Sequence, residues 1–477
     1  MTREQPQSVD FLADFRMMIG GRAVSAQSTF PVLNPATEQS IGDAPDCSEE
    51  QLNGAVAAAR KALPAWKDVP LGERATLLTA IAKRLDEQVD PLALLLTREQ
   101  GKPLADAKAE IGLAANWFRG AATLDLPPER RTEPSGRVVE IQRVPVGVVG
   151  ALVPWNFPIL LGAWKIAPAL LAGNCLVVKP SPYTPLATLK LGELLIDILP
   201  PGVLNIISGG DRLGPLLTEH PGIDKISFTG STVTGRAVMR SASQTLKRVT
   251  LELGGNDPAI VLPDVDVEKV ATKLFWGVFS NSGQVCIAAK RIYVHDAIYD
   301  RFAAKMTALA KANVPGNGEA ADVRLGPVQN KAQFNRVQDL IDDARARGYK
   351  FLTEPGAGKA VGYFIAPTII DNPPDDARVV VEEPFGPLVP LLRYASVDEA
   401  VRRANASEFA LAGSIWSADL ELAAQIANRL DAGTVWINTV QAISPTIPFA
   451  GHKQSGIGVE NGVEGLHEYT RIKAIVR

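Results

Sequence analysis

A lone thiol follows a small, polar, glycine-containing turn in the octet Phe279-Ser-Asn-Ser-Gly-Gln-Val-Cys286. Because Val285 and Ile287 flank it, a thiol at the end of this flexible turn can project from apolar surroundings into a pocket. Sulfur attacks carbonyl carbons well once it is a thiolate, so Cys286 is a candidate nucleophile. Free cysteines are more often small buried hydrophobes, and the octet alone favours that alternative.

Two polar side chains have the chemistry that such a nucleophile needs. Glu252 stands among leucines and before two glycines, and a carboxylate in apolar surroundings has the raised pKa of a general base. The alternative is a solvated carboxylate on an edge strand. Asn156 lies between two prolines, where an uncharged donor in a rigid turn suits a developing oxyanion; the alternative is an ordinary turn asparagine.

Two further segments are typical of anion or ribose binding. Lys179 ends an apolar run, where a strand-end lysine is either a ligand for ribose or phosphate or an ordinary surface group. Residues 225–235 have the pattern of a strand, a tight turn at Gly230 and a helix start at Ser231. This segment lacks the second glycine of GxGxxG, so by itself it is a weak dinucleotide signal.

Composition argues against several classes of function. The 477 residues predict about two to four domains. With 49 Lys and Arg against 52 Asp and Glu, the net charge of −3 gives no case for nucleic acid or a membrane surface. The three cysteines form no CxxC and the four histidines have no ligand spacing, so we expect a reducing, cytoplasmic setting and no metal site.

Two segments bear on membranes and targeting. The N-terminus has no signal-peptide pattern. The uncharged run 144–164 is long enough to span a bilayer, but its prolines would break one continuous helix. A buried strand, a turn and a helix start are therefore favoured there.

The elements that must position these residues alternate in type. Residues 48–122 predict helices, the first starting at Ser48 and others over 70–98 and 104–121. From 144 to 253 the βαβ order predicts a doubly wound parallel sheet. Its strands are expected at 146–152, 175–178, 204–208, 225–228 and 249–253, and its helices at 158–172, 185–199, 213–220 and 231–243.

A second α/β region is expected to begin at Pro258. Its strands are predicted near 258–262, 291–295, 389–394, 411–416 and 434–438, and its helices near 265–280, 297–312, 331–347, 396–406 and 420–431. Residues 138–143 alternate as an exposed β-ribbon, which needs a cover such as a partner subunit. The tail ends in a strand-like stretch, 472–476.

Taken together, the motifs resemble those of the aldehyde dehydrogenase superfamily along nearly the whole chain. In chain order they are Pro154-Trp-Asn-Phe-Pro158, Val178-Lys-Pro-Ser181, Phe228-Thr-Gly-Ser-Thr232, Leu251-Glu-Leu-Gly-Gly255, Gly283-Gln-Val-Cys286, Glu382-Glu-Pro-Phe-Gly-Pro387, Asn438, Pro448-Phe449, Lys453-Gln-Ser-Gly456 and Tyr469-Thr470. Each motif alone is modest, but this many in the right order are specific.

The resemblance implies an α/β fold with a Rossmann-like dinucleotide-binding domain (1–122 and 142–253) and an α/β catalytic domain (254–437). It also implies a β-ribbon oligomerisation arm with the C-terminal segment (123–141 and 438–477). We therefore expect a homodimer or a homotetramer.

The resemblance also assigns roles. Cys286 would attack the aldehyde, with the oxyanion held by the Asn156 amide and the Cys286 N–H. Hydride transfer to the nicotinamide would leave a thioester, which water activated by Glu252 would hydrolyse to the acid. The expected cofactor-binding residues are Trp155, Lys179, Ser181, Gly230, Ser231, Leu253, Glu383 and Phe385.

The chain departs from the family pattern at three places. Pro182 stands where many NAD-preferring members carry the glutamate that grips the adenosine ribose, so NAD against NADP stays open, with NAD favoured. Ala450 replaces a usual glycine and Val459 a usual arginine, which bears on subunit packing or pocket shape more than on chemistry.

The resemblance also implies a substrate tunnel. The positions that line it in the superfamily are all apolar in this sequence, and none is arginine. They are Phe157, Trp164, Trp276, Phe279, Val285, Ile287, Ile443 and Phe449. We therefore expect an aromatic or medium-chain aliphatic aldehyde in preference to a carboxylate-bearing semialdehyde.

Two other functions remain as alternatives. A relative that passes the acyl group to CoA tends to lack the carboxylate of the Glu252 motif, which this chain keeps. A catalytically silent structural homologue would have lost the nucleophile or the base, and both are present.

Overall fold

The structure is a computed structural model that describes residues 9–354, 356 and 361–477. Within those residues, no helix is both long and apolar enough to cross a bilayer. The N-terminal third contains β1 (Met17–Ile19), β2 (Arg22–Val24), β3 (Ser28–Leu33), β4 (Ser40–Asp46), α1 (Glu49–Lys67), α2 (Leu71–Glu87), α3 (Val89–Gln100), α4 (Leu104–Ala121), β5 (Glu129–Thr132) and β6 (Val138–Pro145).

The helical region begins as predicted but is divided differently. Ser48 caps α1 in a capping box with Gln51. The single helix predicted over 70–98 is wrong, because α2 ends at Glu87 and α3 begins at Val89. Pro91 explains the break: it is tolerated in the first turn of α3, whereas in a continuous helix its ring would clash with the preceding turn.

The predicted doubly wound sheet is confirmed. Its segments are β7 (Val148–Val153), α5 (Pro158–Leu171), β8 (Cys175–Pro180), α6 (Leu186–Leu195), β9 (Leu204–Ile206), α7 (Leu213–Glu219), β10 (Lys225–Thr229), α8 (Thr232–Ser243) and β11 (Arg248–Glu252). The strands β9, β8, β7, β10 and β11 lie side by side and parallel. The strand order reverses between β7 and β10, which is where such sheets bind ligands.

A second sheet carries the other half of the site. Its region contains β12 (Asp257–Val261), α9 (Val267–Phe279), β13 (Ala289–His295), α10 (Tyr299–Ala312), α11 (Lys331–Ala346), β14 (Lys350–Thr353), β15 (Thr368–Asp371), α12 (Arg378–Val381), β16 (Leu388–Tyr394), α13 (Val397–Asn405), β17 (Phe409–Ala410), β18 (Ala412–Trp416), α14 (Leu420–Ala427) and β19 (Thr434–Ile437). The sheet order is β14-β15-β16-β13-β12-β18-β19, with only β14 antiparallel to its neighbour. The short strands β14 and β15 were not predicted, because four residues carry too little periodicity.

The C-terminal segment returns to the first sheet. It contains β20 (His452–Lys453), β21 (Gly456–Ile457), α15 (Gly462–Glu468) and β22 (Thr470–Val476). Strand β21 pairs with β11 and sets Gly456 opposite Glu252. The predicted ribbon is present as a three-stranded sheet in the order β22-β6-β5. The domain boundaries given above stay a prediction.

Candidate active site

The turn before Cys286 adopts an uncommon backbone conformation. After α9 ends, Asn281 and Ser282 both have left-handed φ angles, 50° and 53°, and Gly283 follows at 73°. Left-handed residues other than glycine are rare, and they persist where the surroundings hold them. The conformation brings the chain back so that Cys286 faces the space between the two sheets.

Hydrogen bonds hold this turn on several sides. Asn281 Nδ2 donates to the carbonyl of Asn156 at 3.1 Å, and Ser282 Oγ donates to the carbonyl of Gly326 at 2.6 Å. Gln284 Nε2 donates to the Asn281 carbonyl at 2.9 Å. The turn is therefore buried and fastened, rather than the flexible polar loop that its composition indicated.

Cys286 is partly exposed, and its side chain lines a cavity of about 420 Å³. Burial raises the pKa of its thiol well above the usual value, and the negative charge of Glu252 raises it further. The other cysteines, Cys47 and Cys175, are buried in the hydrophobic core around the first sheet. Cys286 is thus the thiol placed for contact with a ligand.

Asn156 lines the same cavity from the turn between β7 and α5. Its Nδ2 donates to the main-chain carbonyl of Gln284 at 3.1 Å, which ties the two turns together. A side-chain amide nitrogen carries two N–H groups, so a second N–H remains to donate a hydrogen bond to an oxyanion at Cys286.

Glu252 ends β11 and is buried. Among the described residues its Oε1 has no hydrogen-bond partner. Burial raises its pKa well above the usual value, the charge of Glu460 raises it further, and that of Lys165 lowers it. A buried carboxylate with a free oxygen and a raised pKa is equipped to act as a general base.

Behind Glu252 lies a buried polar network that sequence reasoning missed. Lys165 on α5 forms a 2.8 Å ion pair with Glu460, and Ser227 on β10 donates to the same carboxylate at 3.2 Å. The ion pair joins residues 295 positions apart, so no local pattern could have indicated it. Its charges act directly on the Glu252 carboxyl.

A larger cavity, about 780 Å³, opens at the reversal point of the first sheet. It is lined by the carboxyl ends of β7, β8 and β10 and by the start of α8. Ser231 caps α8, and a Cβ on Gly230 would lie 2.5 Å from the Phe228 ring, so a larger residue in that turn would displace the ring. These features match the anion site expected at a helix N-terminus.

Lys179 reaches this cavity from the end of β8 and is largely buried. Burial lowers the pKa of its ammonium group to about 8, while the charge of Asp211 on the cavity wall opposes that shift. Ser181 lines the same wall. A buried ammonium beside an open cavity suits ribose hydroxyls or phosphate, so the fold presents the residues that a dinucleotide needs.

The smaller cavity continues the same groove towards Cys286. Glu383 lines it, and its Oε1 accepts the Gly255 N–H at 3.0 Å; burial raises the pKa of this carboxyl to about 7. Phe385 stands edge-on to Trp155, with ring centroids 5.2 Å apart. Gly230, Ser231 and Leu253 complete the predicted cofactor set on this wall.

Helix α11 supplies two residues of this wall that the sequence did not reveal. Gln333 Nε2 donates to the carbonyls of Pro384 and Phe385, and Arg336 Nη2 donates to the Glu383 carbonyl. They fix the loop that carries Glu383. Polar residues on an exposed helix face look alike in sequence, so these two carried no signal.

The predicted tunnel residues divide into two groups. Trp164, Phe449, Val285, Ile287, Phe157 and Ile443 belong to the core cluster that also packs against Cys286. Phe279 instead packs on Phe275 in the core beside the second sheet, fully buried, with Trp276 at its edge. Six of the eight positions therefore share one core cluster with Cys286, and the other two belong to a separate cluster.

Several of the predicted tunnel residues contact another aromatic ring or a cation. Trp117 on α4 stacks on Trp164 at 5.3 Å and was not predicted. The guanidinium of Arg324 lies 4.9 Å from the Trp276 ring, and Lys102 Nζ lies 3.8 Å from the Phe157 ring. Two of the apolar tunnel positions therefore lie beside cations that come from distant parts of the sequence.

A thiol and an amide donor line the inner end of a groove suited to a dinucleotide, and the charge of a buried base acts on the thiol. This arrangement can add a thiol to a carbonyl, stabilise the resulting oxyanion and later activate water.

Comparisons with known proteins agree with this chemistry. The model of the aldehyde dehydrogenase family matches residues 23–475. An aldehyde dehydrogenase of a Fusarium species is 40% identical over 463 residues, covering 97% of this chain and 98% of the relative. A phenylacetaldehyde dehydrogenase of Pseudomonas fluorescens is 40% identical over 485 residues, covering 97% and 95%. The NAD⁺ complex of an aldehyde dehydrogenase from Bacillus cereus superposes with a TM-score of 0.96 at 36% identity, covering 98% and 97%.

Proposed function

The chain belongs to the aldehyde dehydrogenase family, and on that premise we propose that Cys286 is the nucleophile of an NAD(P)-dependent aldehyde oxidation. One observation carries the proposal. The partly exposed Cys286 shares a cavity wall with the Asn156 amide, and the charge of the buried Glu252 acts on its thiol.

In the first step, the partly exposed Cys286 thiol loses its proton to water that enters the cavity. The thiolate Sγ then forms a bond to the aldehyde carbon, and the carbonyl electron pair moves to oxygen. Asn156 Nδ2 and the Cys286 N–H donate to that oxyanion. A nicotinamide dinucleotide, when bound, supplies the acceptor for the hydride that leaves the same carbon.

The product of that step is a thioester on Cys286, and Glu252 serves the second half of the reaction. Its ionised carboxylate accepts a proton from water, whose oxygen attacks the thioester carbon. The carbon–sulfur bond breaks, releasing the acid and the thiolate. The charges of the Lys165–Glu460 pair act on the Glu252 carboxyl, and that of Lys165 favours the ionised form that this step requires.

The proposed substrate is an aromatic or medium-chain aliphatic aldehyde. Support comes from the apolar side chains of the core cluster against which Cys286 packs, including Trp164, Val285 and Phe449. A relative at 40% identity is named for phenylacetaldehyde, which has this chemistry. The retained Glu252 favours release of the acyl group to water over transfer to CoA.

The proposed cofactor is NAD in preference to NADP. Pro182 removes the usual carboxylate near the adenosine ribose, but Asp211 lines the same cavity as Lys179 and Pro182. Its charge raises the Lys179 pKa against the effect of burial, so it lies close enough to repel a 2′-phosphate. Asp211 therefore takes the place of the missing glutamate.

The proposed assembly is a homodimer or a homotetramer in a reducing compartment such as the cytoplasm. Strand β22 exposes Ile472 (64%) and Val476 (57%) at one edge of the three-stranded sheet. Exposed apolar edge strands are normally covered, and a second copy of the chain would do so. Light scattering of the purified protein tests the assembly.

Formation of reduced nicotinamide, followed by absorbance across a panel of aldehydes with each cofactor, tests the proposal. We expect kcat/KM for benzaldehyde and hexanal to exceed that for succinic semialdehyde, and NAD to exceed NADP. A preference for the semialdehyde would refute the substrate class. Absence of cofactor reduction with every aldehyde would refute the function.

A further inference from the structure

Lys102 and Glu110 form a fully buried ion pair beside the turn that carries Asn156. Both side chains are 0% exposed. Lys102 lies in the link between α3 and α4, and Glu110 is on α4, so neither belongs to a segment that the motifs above include. The pair meets the site where α4 packs against α5.

The two partners hold opposite ends of one turn. Lys102 Nζ donates to the main-chain carbonyl of Asn156 at 2.9 Å and lies 3.8 Å from the ring of Phe157. Glu110 Oε1 accepts the N–H groups of Ile159 at 3.0 Å and Leu160 at 3.2 Å, at the start of α5. Together they fasten the backbone on both sides of the oxyanion donor.

Stability alone does not explain this pair. Taking two charges out of water costs several kcal/mol per ion, and apolar residues of similar volume often serve stability equally well. Among the described residues, each hydrogen bond of the Lys102 and Glu110 side chains ends either on residues 156–160 or on the other member of the pair. The contacts therefore specify the position of that turn.

We infer that Lys102 and Glu110 are positioning residues for the oxyanion donor, holding the Asn156 backbone so that its amide faces the aldehyde oxygen on Cys286. This inference rests on the proposed role of Asn156. It goes beyond the proposed function because it assigns a part of the rate enhancement to residues that touch neither substrate nor cofactor.

The test is the burst of reduced nicotinamide in stopped flow, which reports the steps up to the thioester. Lys102→Met should slow the burst about tenfold to hundredfold, since loss of an oxyanion donor costs about 10²–10³. Cofactor affinity, measured by fluorescence quenching, should be unchanged. Glu110→Gln should act in the same direction. Lys102→Gln keeps a donor for the Asn156 carbonyl, so its burst rate should lie closer to that of the unmodified enzyme. If Lys102→Met does not fold, Glu110→Gln replaces it.

The chain offers a matched control. Lys190 is equally buried, pairs with Glu193 at 3.0 Å, donates to the main-chain carbonyl of Asp14 at 2.9 Å and lies over the ring of Phe15. These contacts lie on α6 and the N-terminal segment, away from Asn156. Lys190→Met should lower the melting temperature and leave the burst rate unchanged.

A double-mutant cycle separates positioning from folding. If Lys102 acts through Asn156, adding Lys102→Met to Asn156→Ala should cause no further loss in the burst rate. Multiplying effects, or a normal burst in Lys102→Met, would overturn the inference. A normal burst in Asn156→Ala alone would instead refute the proposed oxyanion donor.

Discussion

The Asn156 side-chain amide donates a 3.1 Å hydrogen bond to the main-chain carbonyl of Gln284, two residues before Cys286. Asn281 in turn donates to the Asn156 carbonyl at 3.1 Å. The turn between β7 and α5 and the turn that carries the thiol therefore position each other. This reciprocity fixes where an aldehyde oxygen would lie relative to the nucleophile.

Glu252→Gln should separate the two halves of the reaction. An amide cannot accept a proton from water, so steady-state turnover should fall by about 10²–10⁴. The burst of reduced nicotinamide should remain in stopped flow. A variant that loses the burst but keeps turnover would contradict the assignment of Glu252 to hydrolysis.

The pH profile of the unmodified enzyme should reflect the raised pKa of Glu252. Burial raises this pKa, and only the ionised carboxylate accepts a proton, so kcat should fall as the pH decreases through that raised value. The limb should lie well above the usual carboxyl range. An acid limb at the pKa of an exposed glutamate would contradict the buried base.

Gly283→Ala should impair both stability and the burst rate. Its φ is 73°, and a Cβ there would lie 2.3 Å from the carbonyl oxygen of Gly386. Gly348 has the same φ with open space around it. Gly348→Ala should therefore show only the backbone cost, about 1–2 kcal/mol in the free energy of unfolding, with a normal burst. Equal effects in the two variants would show that the close approach at Gly283 is unimportant.

Asp211→Asn should weaken discrimination against NADP. Removing one exposed charge near the 2′-phosphate is worth about 1 kcal/mol, so the Kd for NADP should fall about fivefold while that for NAD changes little. Fluorescence quenching measures both constants without turnover. An unchanged ratio of the two constants would exclude Asp211 as the discriminating residue.

Phe449→Leu should weaken the use of aromatic aldehydes. Phe449 meets Trp164 edge-on at 5.5 Å, in the cluster that packs against Cys286. We expect kcat/KM for benzaldehyde to fall about fivefold, as one lost aromatic contact is worth about 1 kcal/mol. Phe302→Leu, in the separate core beside the second sheet, is the control. A similar loss in both variants would point to general destabilisation.

The sequence predicted those parts of the site whose signals are local. Glu252 and Lys179 stand at strand ends, and Asn156 lies between prolines, so each could be placed from its neighbours. The parallel order of the first sheet followed from alternating strands and helices.

The remainder depends on distant pairing. The Lys165–Glu460 pair forms only when α5 and the C-terminal segment pack together, and the Lys102–Glu110 pair meets Asn156 only when α4 packs against α5. The left-handed Asn281 and Ser282 are set by contacts from other segments, since their own composition indicated a flexible turn. Phe279 was expected at the tunnel from the family resemblance, whereas its side chain is buried in the core beside the second sheet.

The central claim is that the acyl group is carried on Cys286. Peptide mass spectrometry of Glu252→Gln, quenched after mixing with benzaldehyde and NAD, tests it most directly. We predict a benzoyl adduct on the peptide that contains Cys286, and none on those of Cys47 and Cys175. An adduct on another residue, or reduced nicotinamide formed in the burst without any acylated peptide, would contradict the account.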